Sequence, residues 1–142
     1  MEIMIDVMND RDREDFLDWM NRRIAGASGN RSLAFPAGWI PQTGLAARDR
    51  NGHPVAMTIL YLEKSSAVAV AGWCVSRPGG PAAATTRAVE LLLAALPPYA
   101  RKLGAEHLLT IYGNRGVNSI LDRLGFLPGD RNVEQKYMRL MK

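Results

Sequence analysis

The chain reads as a mixed α/β (α+β) fold with a mostly antiparallel central sheet. Three patterns point there. Strand-like and helix-like stretches alternate along all 142 residues. A meander of hairpins occupies the middle of the chain. The apolar run 67–75, the helical stretch 85–103 and the run 107–112 then form a crossover unit, which requires two parallel strands.

Residues 3–8 alternate loosely and read as the first strand. Asn9 or Asp10 can cap the helix that follows. In that helix Phe16, Met20 and Ile24 recur at four-residue spacing, with Leu17 beside them. Asp12, Glu14 and Asp15 come early and Arg22 and Arg23 late, as the helix dipole favours. Gly26 is read as the stop. The stretch 27–41 is rich in Gly and Pro and carries Phe35 and Trp39. It can hold a short helix, and its aromatic rings can line a cleft or cover the core.

Residues 43–48 and 55–62 read as strands. Asp49-Arg50-Asn51-Gly52 between them is a hairpin turn, because Asn-Gly takes positive φ readily. Glu63 to Ser66 reverses the chain again into 67–75. That strand is almost wholly apolar, as suits a central strand covered on both faces. The next helix buries Val89, Leu92, Leu93 and Leu96. Pro97-Pro98 should break or kink it, and Gly104 should end it. Residues 117–124 form a short helix ending at Gly125, and 133–140 read as the last strand. The expected order is β-α-(α)-β-β-β-α-β-α-β, one domain over residues 1–142, with helices on both sheet faces.

Composition narrows the function. A hydrophobic fraction of 47% and a charged fraction of 23% are those of an ordinary globular protein. No apolar run approaches the roughly 20 residues of a bilayer span. Residues 1–6 lack the basic-then-apolar pattern of a signal peptide. The single cysteine, Cys74, fits a reducing compartment, so a cytoplasmic protein without membrane contact is expected. The net charge of +4 favours anionic ligands, either a phosphate-bearing cofactor or nucleic acid. The basic residues are scattered, which supports nucleic acid weakly, and no zinc-ligand spacing occurs, so no metal is expected.

The stretch Val75-Ser76-Arg77-Pro78-Gly79-Gly80-Pro81-Ala82 carries the most chemistry. It joins a strand to a helix N-terminus. Small residues there let an anion approach unpaired first-turn N–H groups, and the helix dipole adds attraction. The same residues would also serve as a plain chain reversal. Cys74 has no sequence-adjacent His or acid and reads as a small buried residue.

These residues resemble the GCN5-related N-acetyltransferases, the GNAT superfamily. The family's pyrophosphate loop, Gln/Arg-x-x-Gly-x-Gly/Ala, is matched at Arg77, Gly80 and Ala82. Its second signature, an Asn after the fifth strand and Gly-Phe beyond the next helix, is matched by Asn114 and Gly125-Phe126. The resemblance implies a sheet of six to seven strands with a splayed parallel pair at the fourth and fifth. It implies acetyl-CoA as co-substrate, bound by Val75, Arg77, Gly79, Gly80, Ala82 and Asn114. The implied reaction is transfer of an acetyl group to a primary amine on a small molecule or peptide. Many members place a proton-donating Tyr where this chain has Leu121. Asn118 and Tyr112 are the candidate donors left, and no general base stands out. Three readings stay open: an N-acetyltransferase acting by direct attack, a catalytically degenerate CoA-binding or interaction module of the same fold, and an acyltransferase for nucleic-acid base amines. A monomer and a homodimer are equally compatible with the resemblance.

Overall fold

A computed structural model describes residues 2–28, 34–130, 138 and 140. The elements are β1 (Met4–Val7), α1 (Asp10–Ser28), a 3-10 turn (Ala37–Trp39), β2 (Gly44–Arg48), β3 (Pro54–Glu63), β4 (Val68–Ser76), α2 (Ala82–Lys102), β5 (His107–Thr110) and α3 (Arg115–Arg123). The strands lie side by side in chain order. Every neighbouring pair is antiparallel except β4 and β5, which are parallel.

The described residues form five strands of the expected six to seven, and the strand expected at 133–140 lies outside the described residues apart from 138 and 140. Three expectations are corrected. Gly26 does not stop α1, which runs on to Ser28. Helix α2 begins at Ala82, one turn before 85. It also continues through Pro97-Pro98. Two prolines remove two helix donors, yet the flanking Leu96 and Ala100 are both buried, so the turn is held by packing.

The start of α1 is a reciprocal capping box. The Asn9 side chain accepts from the Asp12 N–H at 2.9 Å, and the Asp12 carboxylate accepts from the Asn9 N–H at 2.8 Å. Helix α2 ends as expected at Gly104, whose φ is +98°. There the N–H of Ala105 donates to the carbonyl of Ala100 and that of Gly104 to Arg101, the Schellman pattern. Gly125 repeats the pattern after α3, and Phe126 then packs on the core.

Two apolar layers sandwich the sheet. Phe16 and Met20 of α1 pack with Phe35, Ala46, Met57, Ile59 and Val75 on one face. Leu92, Leu93 and Leu96 of α2 pack with Leu45, Ala56, Leu60, Ala69 and Ala71 on the other, joined by Ile120 and Leu121 of α3. Alternation along the strands explains the split: Ala56 and Leu60 face α2, whereas Met57 and Ile59 face α1.

One residue breaks this alternation. Thr58 pairs with Cys74 but Ile59 pairs with Gly72, so Trp73 is an extra residue in β4. It has φ +54°. Such a bulge moves the following residues to the opposite face. Ala71 and Cys74 consequently both face the α2 layer, while Trp73 and Val75 face α1. The Trp73 ring packs among Phe35, Trp39 and Tyr61 at centroid distances of 5.4, 5.8 and 6.1 Å.

Candidate active site

The parallel pair stops short. Pairing of β4 with β5 ends at Ala71 and Thr110, with one further bond from the Ile111 N–H to the Ala71 carbonyl at 2.9 Å. Strand β4 runs five residues beyond Ala71, to Ser76, with β3 as its sole paired strand there among the described residues. A cleft of about 940 Å³ opens beside this unpaired end of β4. Its walls come from three places: the β4 end and following turn, the first turns of α2 with the face of α3, and Trp19, Arg22 and Arg23 of α1.

The turn is built by Pro78 and Gly79. The Gly80 N–H donates to the Arg77 carbonyl at 3.3 Å, and Gly79 has φ +74°. Proline followed by a positive-φ glycine is the signature of a type II turn. Pro81 then caps α2 without any side-chain hydrogen bond. The first-turn N–H groups of Ala82, Ala83 and Ala84 have no acceptor among the described residues. Ala82 and Ala83 are also exposed. A helix N-terminus with free donors and no bulky side chains suits a phosphate.

The other candidates are placed as follows. Val75 lines the cleft with a buried side chain. Arg77 lines it too, but its guanidinium turns to the β2–β3 hairpin. There Nε and Nη2 donate to the Pro54 carbonyl at 3.0 and 2.7 Å, and Nη2 also meets Asp49 Oδ2 at 3.1 Å. Arg77 thus braces the turn from behind. Asn114 lines the cleft and caps α3, its Oδ1 accepting from the Val117 N–H at 3.1 Å.

Tyr112 and Asn118 do not line the cleft. The Asn118 amide donates to the carbonyls of Tyr112 and Asn114 at 2.8 and 3.1 Å. The Tyr112 hydroxyl lies 2.6 Å from Thr58 Oγ1, which itself donates to the Trp73 carbonyl at 3.3 Å. Tyr112 is thereby tied through β3 to the β4 bulge. Burial pushes its phenol well above the ordinary value, and neighbouring Cys74 adds to that, against the Thr58 hydrogen bond. Leu121 is in the core. Cys74 lines the cleft, with its thiol pushed up to about 12 by burial despite the opposing pull of Arg23. A thiol so raised stays neutral and is a poor nucleophile at neutral pH.

Sequence reading missed Arg22 and Arg23 as cleft residues, having assigned them to the dipole of α1. Arg23 Nη1 donates to the Cys74 carbonyl at 2.8 Å, across 51 residues of chain. No periodicity signals such a contact.

Neither protein-family models nor curated protein sequences match this chain. Solved structures do. It is similar to the ribosomal-protein-alanine N-acetyltransferase of Brucella melitensis biovar Abortus 2308, with TM-score 0.64, 15% identity, and 99% of this chain and 100% of that one covered. It is similar to AAC(6')-Iy, solved in complex with the bisubstrate analogue CoA-S-monomethyl-acetylneamine, with TM-score 0.62, 16% identity, and coverage of 98% and 100%. A transcriptional regulator from Bacillus halodurans C-125 matches with TM-score 0.62, 12% identity, and coverage of 96% and 100%. The chain has the fold of the GCN5-related N-acetyltransferases.

Proposed function

We propose that this protein is an acetyl-CoA-dependent N-acetyltransferase that moves an acetyl group to a primary amine by direct attack. One observation carries the reading. The free donors at the start of α2 adjoin a cleft that also runs along Cys74 to Ser76, the part of β4 left unpaired by β5. That arrangement offers an anion site and a slot for an extended arm in a single cavity. The similar structure of AAC(6')-Iy holds a CoA-containing analogue, which supports the same ligand here.

The amides of Ala82 to Ala84 would hold the diphosphate, and Gly79 and Gly80 leave it room. Acetyl-CoA supplies a thioester carbonyl as electrophile. The neutral amine nitrogen forms the new C–N bond as the C–S bond breaks. The electron pair leaves with sulfur, and the amine's surplus proton goes to the thiolate or to water. Positioning two reactants in one cleft contributes much of the acceleration such a reaction needs.

Calorimetric titration with acetyl-CoA tests the reading, with sub-millimolar binding expected. Gly80→Glu should abolish that binding, because it sets a carboxylate beside the diphosphate. Unchanged affinity in a folded Gly80→Glu protein would refute the site. A second reading, a CoA-binding module without turnover, is favoured by the engagement of both Tyr112 and Asn118 within the protein. Acetyl-CoA consumption with any amine of a broad panel would end it.

A further inference from the structure

Four arginines line the cleft: Arg22, Arg23, Arg77 and Arg123. Three have carboxylate partners. Arg22 meets Asp18 at 3.1 Å, Arg77 meets Asp49 at 3.1 Å, and Arg123 meets Glu90 at 3.9 Å. Among the described residues Arg23 has none, and its one bond is to the Cys74 carbonyl.

The position of Arg23 matters as much as its charge. Cys74 stands three residues before Arg77, about 10 Å along a strand from the turn. Arg23 also comes from α1, on the sheet face opposite α2. It is therefore set apart from the anion site at the start of α2 and lies beside the unpaired end of β4. A guanidinium using one donor on a carbonyl keeps others for a planar anion.

We propose that the acceptor is a primary amine that also carries an anionic group, a carboxylate or a phosphate, and that Arg23 receives this group. The proposal rests on the acetyltransferase reading above. The bond changes are those already given: C–N forms, C–S breaks, and the anion of the acceptor is unchanged. Arg23 would hold the acceptor by its charge. The same charge beside the amine would lower the amine's pKa and raise its neutral, reactive fraction.

The test uses the purified protein with acetyl-CoA and measures released CoA thiol. The panel is built of matched pairs: L-amino acids against their carboxamides, and O-phosphoethanolamine against ethanolamine. The first pairs report carboxylate recognition and the last reports phosphate. In at least one pair the anionic member should have a kcat/KM about tenfold or more higher, the size expected of a charge-assisted hydrogen bond. Arg23→Gln should bring that ratio near one while leaving acetyl-CoA affinity within about twofold. Neutral or cationic members reacting as well as anionic ones would overturn the proposal. So would a loss of acetyl-CoA affinity in Arg23→Gln with the ratio intact, or a panel on which nothing reacts while acetyl-CoA binds. Absence of acetyl-CoA binding to the unaltered protein is a different failure, that of the acetyltransferase reading itself.

Discussion

Arg48 grips Asp12 with two hydrogen bonds, Nη1 to Oδ1 at 2.9 Å and Nη2 to Oδ2 at 2.5 Å. The Asp12 side chain is only 2% exposed and that of Arg48 10%. Asp12 is also half of the capping box of α1. One carboxylate thus fixes where the first helix begins and ties that start to the second strand. The cleft depends on this joint, because α1 carries Arg22 and Arg23 to it.

Asp12→Ala is expected to cost about 3–5 kcal/mol, since it leaves Arg48 buried without its main partner. Replacing both residues by apolar ones, Asp12→Leu with Arg48→Met, should recover much of that loss. Urea denaturation of the three proteins measures the difference. A loss below about 1 kcal/mol in Asp12→Ala would show that the pair contributes no more than a surface pair.

The same joint sets an acid limit. Burial alone would raise the Asp12 pKa, but the hydrogen bonds from Arg48 and from the Asn9 N–H, with the charges of Arg48 and Arg13, outweigh it and hold the carboxyl below its ordinary value. The folded state therefore binds this proton less readily than the unfolded chain. The pair's contribution is fully present above the unfolded carboxyl value of about 3.9, and it falls away as pH drops through the lower folded value. Denaturation midpoints measured between pH 6 and pH 2 should decline, and the decline should be shallower in the apolar double variant.

Thr58 links Tyr112 to the β4 bulge, and its hydroxyl should matter more than its partner's. Thr58→Val strands the buried Tyr112 hydroxyl and is expected to cost about 1–3 kcal/mol. Tyr112→Phe leaves Thr58 bonded to the Trp73 carbonyl and should cost about 1 kcal/mol. Equal losses in denaturant titrations would count against the linked arrangement.

Adjacent glycines in the turn should respond differently to alanine. Gly79 has φ +74°, so Gly79→Ala should destabilise by roughly 1–2 kcal/mol. At Gly80 an added Cβ meets nothing closer than the Arg77 carbonyl at 3.4 Å, so Gly80→Ala should be nearly neutral. Thermal unfolding of the two proteins decides it.

Cys74 should resist alkylation in the native protein. With its thiol pushed up to about 12, the thiolate fraction at pH 8 is smaller than that of a free cysteine by more than about a hundredfold. Iodoacetamide labelling should be correspondingly slow, and full speed should return in denaturant. Rapid native labelling would contradict the raised thiol.

Local chemistry made much of this fold legible. Gly104 and Gly125 end their helices because positive φ favours glycine, and Asn51-Gly52 closes its hairpin for the same reason. Asn114 caps α3, a role its position before an apolar helix suggests. The crossover dictated a parallel pair. What stayed hidden depends on distant partners. Nothing near Arg77 in sequence reveals that its charge goes to Asp49 and Pro54, 28 and 23 residues away. Nothing near Arg23 reveals Cys74. Pro97-Pro98 misled because the local cost of two prolines is visible in sequence, whereas the packing of Leu96 and Ala100 that offsets it is not. The extra residue at Trp73 escaped because an apolar run has no alternation in which a skipped beat could show.

That skipped beat constrains any redesign of the strand. Residues before and after Trp73 obey opposite inside–outside rules because this one position is supernumerary. Excising it would leave Gly72 opposite Ile59 and Cys74 opposite Thr58, so plain alternation would return with Cys74 and Val75 still in their present layers. Losing or adding one residue elsewhere in the strand would instead send part of it to the wrong face.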